Sequence, residues 1–330
     1  MPKDETHVEA GDRTIRISSP GKVMFPEQGW TKMDVVEHYV TTGPGALRGV
    51  RDRPCMLKRW PQGVAGGPFY HKRPGKAWKG DLANIRFPSQ RPGQMAVARD
   101  LGDVVTMAQL NCLDLNPWPV RAEDTNHPDE LRIDLDPTEG VPFSEVRRVA
   151  GVVRDILDDA GLVGWPKTSG NRGIHVYARI EPSWTFHQVR RAGLALAREA
   201  ERRDPAATTA WWKEERDGVF LDYNQNARDK TIASAYGVRQ TGYVSAPFFW
   251  SELDDVNTED FPLGTFADRW TAAGDPSDGI DEAAGSLDTL LEWVARDEEQ
   301  GLGDAPWPPH YPKQPGEPPR VQPSKKRMEG

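Results

Sequence analysis

Apolar and charged residues alternate through Leu131-Arg132-Ile133-Asp134-Leu135-Asp136-Pro137. An alternation of period two puts successive side chains on opposite faces of an extended strand. Asp134 and Asp136 therefore share one face, with Cα atoms roughly 6.6 Å apart at about 3.3 Å per residue. Two carboxylates this close raise each other's pKa unless a cation or cationic side chains lie between them. A pair of divalent ions about 3.5–4 Å apart would relieve the repulsion and suits phosphoryl transfer. The alternative for these residues alone is an edge strand whose acidic face is simply solvated.

A chain of 330 residues can bury about three quarters of its unfolded surface, as one large domain or two smaller ones. Hydrophobic residues make up 37% and charged residues 28%, a soluble globular composition rather than a fibrous or disordered one. No apolar run approaches the ~20 residues of a membrane span, and Met1-Pro2-Lys3-Asp4-Glu5 lacks a signal peptide's apolar centre. A cytoplasmic protein without a membrane partner is expected. Cys55 and Cys112 are the only cysteines and have no metal-ligand spacing, so both are read as small core residues.

The net charge of -8 is unevenly spread. Residues 13–79 hold 13 Lys and Arg against 4 Asp and Glu, whereas residues 251–310 hold 2 Arg against 16 acids. The first stretch can meet phosphate and the second cannot; the alternative is that uneven charge serves solubility alone.

Residues 1–12 are polar and expected to be loose. Ile15-Arg16-Ile17 reads as a short strand. Thr31 is expected to cap a helix starting at Lys32, with Gly43-Pro44-Gly45 as its breaker. Strands are expected over 55–60, 69–72 and 95–101, with a surface loop over 75–93. Ser144 is read as the cap of a helix running to about Asp159 and closed by Gly161. Residues 173–180, 219–223 and 231–238 read as strands, and 185–203 and 287–298 as helices. The Pro-, Lys- and Arg-rich residues 306–330 read as an extended or disordered tail. This order suits an α+β layer with helices on one face of a sheet.

Two further clusters can carry chemistry. In Lys167-Thr168-Ser169-Gly170-Asn171-Arg172-Gly173-Ile174-His175, two glycines flank a short loop between strands. Backbone N–H groups, a hydroxyl, a guanidinium and an imidazole can converge there on one anion; the alternative is an ordinary glycine turn. Asp222, in Val219-Phe220-Leu221-Asp222-Tyr223, is a lone carboxylate in an apolar strand. It needs a cation or strong donors, and a structural salt bridge would serve equally.

Taken in order, Asp134-x-Asp136, Ser169-Gly170-x-x-Gly173-x-His175 and Asp222 resemble the signatures of archaeo-eukaryotic primase-type polymerases. More closely, the chain resembles the polymerase domain of bacterial ATP-dependent DNA ligase D. The likeness runs through Lys22-Val23-Met24-Phe25-Pro26, Thr31-Lys32, Lys58-Arg59-Trp60-Pro61-Gln62-Gly63, Phe69-Tyr70-His71-Lys72, Asp136-Pro137, Lys167-Thr168-Ser169-Gly170, Asp222-Tyr223, Tyr236-Gly237-Val238-Arg239 and Tyr311-Pro312-Lys313.

The resemblance implies an α+β primase-polymerase fold, with mixed, mostly antiparallel sheets and packed helices around a central active-site cleft. The catalytic domain would span 13–305, divided into a basic strand-and-loop part (13–125), an RRM-like catalytic part (126–250) and an acidic helical part (251–305). Asp134, Asp136 and Asp222 would hold two Mn²⁺ or Mg²⁺ ions, one activating the primer 3′-hydroxyl and one holding the triphosphate. Ser169, Arg172, His175 and Arg239 would bind that triphosphate. Lys22 and Lys32, assisted by Ser19, would receive a downstream 5′-phosphate. Phe69 and Tyr70 would stack on bases at the template bend. Read from the residues alone, these are solvated lysines and core aromatics.

Three departures stand out. Asn116 lies in Leu115-Asn116-Pro117-Trp118 where relatives commonly carry His, Arg172 stands where Lys is usual, and Ser19 where Asn is frequent. The activity implied is a stand-alone, template-dependent nucleotidyltransferase that fills short gaps or extends ends in repair, accepting ribonucleotides readily and preferring them. Its partners would be DNA with gaps, overhangs or 5′-phosphate breaks, Ku and a separate DNA ligase, with nucleoid association during repair. One rival is a primase-polymerase that starts chains or bypasses lesions. A second takes Asp134-Leu135-Asp136-Pro137-Thr138 as a haloacid dehalogenase-type phosphatase string, with Asp134 as nucleophile and Asp136 as proton shuttle. A third is a DNA-end scaffold without chemistry.

Overall fold

The structure, a computed structural model, describes residues 4–308, 310–314 and 317–320. Strand β1 (Glu5–Ala10) pairs antiparallel with β2 (Arg13–Ser18) and turns at Gly11, which takes a positive φ. The described part of the N-terminus is thus not loose, because Ala10 and Ile17 are buried in the core; residues 1–3 lie outside the described residues. A ribbon of β3 (Val23–Phe25) and β4 (Trp30–Thr31) leads into α1 (Lys32–Thr41), where Thr31 and Asp34 form a reciprocal capping box. Gly43-Pro44-Gly45 does more than end α1, since it opens α2 (Gly43–Val50). Pro in a first turn loses no helical hydrogen bond, and at Gly45 an added Cβ would meet the Tyr236 ring at 2.3 Å.

The first large sheet contains β5 (Pro54–Arg59), β6 (Phe69–His71), β7 (Leu82–Arg86) and β8 (Pro92–Val97) in the order β6-β5-β8-β7, all antiparallel. Strand β7 falls inside the stretch expected to be a loop and buries Ala83 and Ile85 on alternate positions. The strand expected to reach residue 101 stops at Val97, because the Asp100 carboxylate accepts from the Asp103 N–H and caps α3 (Leu101–Gln109). Strand β9 (Asn116–Pro117) also pairs with β5. Cys55 and Cys112 are buried free thiols, as expected.

The second sheet is built from β10 (Glu130–Pro137), β11 (Trp165–Thr168), β12 (Ile174–Arg179), β13 (Ala207–Thr208) and β14 (Val219–Leu221). Its order is β11-β12-β10-β14-β13, and only the β13–β14 pair is parallel. Helix α4 (Phe143–Asp159) starts after Pro142 rather than at Ser144, which falls within its first turn. Gly161 follows it with φ 71°. Helix α5 (Phe186–Arg203) carries the Thr185–Gln188 capping box. Val146, Val149 and Val153 of α4, with Val189 and Leu196 of α5, share one core with Leu131, Ile133 and Leu135 of β10. Each such burial contributes about 1.5–3 kcal/mol.

Residues 231–238 are irregular rather than a strand, with Tyr236 at φ 63° and a single bridge from Val238 to Val244. Helices α6 (Phe266–Ala273) and α7 (Asp288–Glu299) complete the acidic part, and α7 lies along α5. The expected tail is only partly a tail. Trp307 and Tyr311 are buried against Ala227, because two large aromatics gain more from burial than the surrounding prolines gain from hydration; residues 321–330 lie outside the described residues. Among the described residues no helix is long and apolar enough to cross a membrane.

Candidate active site

Strand β10 lies between β12 and β14, so its acids sit mid-sheet. Leu135 and Pro137 face the core while Asp134 and Asp136 face the other way. Asp134 pairs across the sheet with His175 of β12, and its carbonyl accepts the Asp222 N–H at 3.0 Å. Asp222 lies one residue beyond β14, as the cap of a 3-10 turn (Tyr223–Asn226), and not within a strand as expected. Its Oδ1 accepts from the Asn224 N–H at 3.0 Å.

That turn brings Gln225 back between the acids. Its Nε2 donates to Asp134 Oδ2 at 3.1 Å and to Asp222 Oδ2 at 3.3 Å, while its Oε1 is buried without a partner. Burial, and then the charges of Asp222 and Asp136, push the Asp134 carboxyl up to about 7. Burial also raises that of Asp222, against the pull of Lys230. A neutral amide donor thus stands where two carboxylates repel, and hard carboxylate oxygens are the donor set of Mg²⁺ and Mn²⁺. Among the described residues no three His, Cys, Asp or Glu side chains are gathered into a finished ligand set. Asp134 and Asp222 are the converging pair, and Asp136 stands two residues along the same strand face.

The loop 169–173 joins β11 to β12. Gly170 has φ 66°, and a Cβ on Gly173 would meet the Leu135 carbonyl oxygen at 2.3 Å, so the loop lies directly on the acidic strand. Ser169 Oγ accepts from the N–H groups of Asn171 and Gly173, at 3.1 and 3.0 Å. Arg239 Nη1 donates to Ser169 O at 3.1 Å, and Arg172 is exposed on the loop. His175 is buried, with Nε2 3.4 Å from Asp134 Oδ1 and Nδ1 2.6 Å from Lys167 Nζ. Burial, and next the Lys167 charge, hold the imidazole neutral by lowering its pKa. Lys167 also donates to Ala233 O and Ser245 Oγ, at 2.8 and 2.6 Å.

From the first sheet come Lys58, Tyr70 and Asn116. Lys58 Nζ donates to Asp114 Oδ2 at 3.1 Å, and Arg239 Nε lies 3.7 Å from the same oxygen. Asn116 Nδ2 donates to Asp114 O at 3.2 Å. The two sheets therefore wall one cleft of about 360 Å³ that gathers Asp134, Asp136, Ser169, Arg172, His175 and Arg239. Asp222 joins it through Gln225.

The remaining candidates lie apart from this cleft or at its margin. Phe69 and Tyr70 are each 55% exposed, and of the two only Tyr70 lines the cleft. Ser19, Lys22 and Lys32 form a separate knot in which Lys22 N donates to Ser19 O at 3.1 Å and Lys32 N to Lys22 O at 2.8 Å. Lys22 Nζ donates to Pro61 O. Lys32 Nζ donates to Ser18 O at 2.7 Å and Gln109 O at 3.3 Å. Lys32 is 4% exposed; burial, and then the charges of Lys22 and Arg59, push its pKa down to about 8. Ser19 is exposed with φ 51°.

Asp114 and Gln225 escaped the sequence reading, and Lys58 and Lys167, though within strings it singled out, were given no role. Of these, Lys167 alone stood beside a signal the sequence showed, the glycine-flanked loop 169–173. Lys58 and Asp114 lie 56 residues apart, and nothing in either neighbourhood announces the other.

The structure also bears on the phosphatase reading. Strand β10 has antiparallel neighbours on both sides, which is not the parallel Rossmann-like setting such a nucleophile strand requires. A family model described as LigD, primase-polymerase domain, matches residues 31–277. The multifunctional non-homologous end joining DNA repair protein LigD of Mycobacterium tuberculosis is 28% identical over 305 residues, covering 86% of this chain and 39% of the relative. The bifunctional non-homologous end joining protein LigD of Bacillus subtilis is 27% identical over 270 residues, covering 79% of this chain and 43% of the relative. The chain therefore spans about two fifths of the length of these relatives. Among solved structures, the polymerase domain from Mycobacterium tuberculosis ligase D in complex with DNA matches with a TM-score of 0.76 at 28% identity, over 82% of this chain and 99% of that one. On the α+β architecture, the two-sheet cleft and a family match across most of its length, the chain belongs to the LigD primase-polymerase family and is a nucleotidyltransferase domain of that type.

Proposed function

We propose that this chain adds nucleotides to a primer 3′-hydroxyl under the direction of a DNA template, filling short gaps or extending ends at breaks. The observation that carries the reading is the Gln225 amide held between Asp134 and Asp222 on the floor of a cleft that also gathers the loop 169–173 and Arg239. Two Mn²⁺ or Mg²⁺ ions held by Asp134, Asp136 and Asp222 would lower the pKa of the primer hydroxyl and neutralise charge on the triphosphate.

The chain's own groups do the rest. Ser169 Oγ accepts two backbone N–H bonds and keeps its own proton free to donate to a phosphate oxygen. Arg172 and Arg239 offer forked donors to the triphosphate, and Asp114 braces Arg239 and Lys58 on the facing wall. Lys167 donates to His175 Nδ1, which leaves Nε2 as the protonated nitrogen on the cleft side. Phe69 and Tyr70 stack against bases, at about 1–3 kcal/mol per base. The knot of Ser19, Lys22 and Lys32 receives a 5′-phosphate, whose oxygens replace backbone acceptors of the two amines.

Relatives named for non-homologous end joining support the same setting for this chain. DNA with gaps, overhangs or 5′-phosphate breaks would be the substrate, and Ku and a DNA ligase the partners. The test is a labelled gapped duplex with Mn²⁺ and separate NTP and dNTP pools. Extension by a few nucleotides, with NTPs used readily, is expected. Absence of extension with either pool would overturn the proposal, and chain synthesis on an unprimed template would favour a chain-initiating primase-polymerase.

A further inference from the structure

The match to the family model stops at residue 277, yet residues 304–307 are tied to the turn that carries Asp222. Arg190 of α5 is fully buried and its guanidinium divides its donors between the two. Nη1 donates to Asp304 Oδ1 at 2.6 Å, and Nη2 to Ala305 O at 2.8 Å and Pro306 O at 3.2 Å. Nε donates to Asn224 Oδ1 at 2.7 Å. Asn224 Nδ2 reaches Pro306 O at 3.3 Å, and the Asn224 N–H is the donor to Asp222 Oδ1. The Trp307 ring closes the arrangement: the guanidinium lies 4.0 Å from its centroid, and Nε1 donates to Asp304 Oδ2 at 2.8 Å. A buried guanidinium must find acceptors, and residues 304–306 supply three of its four. None of residues 304–307 lines the cleft.

We propose that residues 304–307 and Arg190 form a clamp that fixes Asp222 and Gln225 for metal binding, making a segment that does not line the cleft a positioning part of the active site. The inference rests on Asp222 acting as a metal ligand. Asn224 is the link: its side chain is held by the clamp at both ends and its backbone holds the carboxylate. Groups that orient a ligand from behind typically change metal affinity by about 10–100-fold when lost.

The test uses the full chain carrying Trp307→Ala, Trp307→Phe or Asn224→Ala. Hydrogen–deuterium exchange is read at Tyr223–Asn226 and at Glu130–Pro137, alongside the Mn²⁺ concentration for half-maximal extension and the affinity for gapped duplex. Trp307→Ala and Asn224→Ala are expected to speed exchange in the turn and raise the Mn²⁺ midpoint about tenfold. Exchange in β10 and duplex affinity should stay unchanged, and Trp307→Phe, which keeps a ring over the guanidinium, should recover most of both effects. An unmoved turn and midpoint in both truncating variants would overturn the clamp, as would β10 and the turn loosening together, which marks a purely structural contact. Asp222→Ala separates the two levels. If it still extends primers, the ligand assignment falls and the clamp's purpose with it; if it is inactive while Trp307→Ala keeps its midpoint, the clamp alone fails.

Discussion

The lysine knot and the carboxylate cleft are opposites in charge and alike in construction. In one, burial and the neighbouring cations Lys22 and Arg59 pull the Lys32 pKa down; in the other, burial and the neighbouring anions Asp222 and Asp136 push the Asp134 pKa up. Each sets one largely buried charge beside others of the same sign, which disfavours its charged form near neutral pH. Under the function proposed above, the partner of opposite charge would be a phosphate at the first and cations at the second. The two differ in how complete they are. The Lys32 amine already has oxygen acceptors in Ser18 and Gln109, whereas Asp134 and Asp222 share one amide.

The largest test of this contrast is removal of an acid. Asp134→Ala, Asp136→Ala or Asp222→Ala should lower nucleotide addition by at least about a thousandfold, roughly 4 kcal/mol of transition-state stabilisation. Affinity for gapped duplex should stay within a few-fold, because backbone affinity comes from the basic half. Primer-extension rates and fluorescence anisotropy on the same preparations check both statements, and retained extension removes that residue from the metal site.

Next come the anion contacts of the cleft. Arg172→Ala and His175→Ala should each raise the apparent KM for NTP, with about 1.5–3 kcal/mol lost per charge-assisted contact. Steady-state kinetics read this; weaker duplex binding at unchanged nucleotide dependence would move the loop 169–173 to the DNA side.

Without metal, Asp134→Asn relieves the acid repulsion and should stabilise the protein by about 1–2 kcal/mol. It should also remove most of the stabilisation that Mn²⁺ gives the unsubstituted chain. Thermal unfolding with and without Mn²⁺ decides this, and a destabilised metal-free variant would mean the acid pair is held for structure.

The smallest effect belongs to the lysine knot. A duplex with a downstream 5′-phosphate should bind about tenfold tighter than its 5′-hydroxyl counterpart, two lysine contacts being discounted for solvent and salt. Lys22→Ala should erase most of that preference. Since Lys32 is charged below about 8 and neutral above it, the preference should shrink as pH rises from 7 to 9 and persist across that range in Lys32→Arg. Equal binding of both ends by the unsubstituted protein would leave the cationic half of the contrast without a function.

How much of this was legible depended on distance along the chain. The shared face of Asp134 and Asp136, the Thr31 cap and the closing role of Gly161 are local, and the structure carries each of them. Local signals also misled. Pro44 read as a breaker but sits in the first turn of α2, and Leu101 read as the end of a strand although Asp100 had already capped a helix. The five residues of β7 are too short a run to show their alternation, and Ala83 and Ile85 are buried in a cluster with Met95 and Val97 of β8, Trp118 and Phe186.

By itself the sequence determined which chemistry was available: three acids, a glycine-flanked anion loop and a basic N-terminal stretch, each set by residue type and short-range periodicity. Only the tertiary structure decided that Asp222 caps a turn, that Gln225 stands between two carboxylates, that Asp114 braces Lys58 and Arg239, and that residues 304–307 hold that turn from behind. Those contacts join residues 2 to 125 positions apart, and most of them follow from how the sheets and helices pack, which no local periodicity encodes.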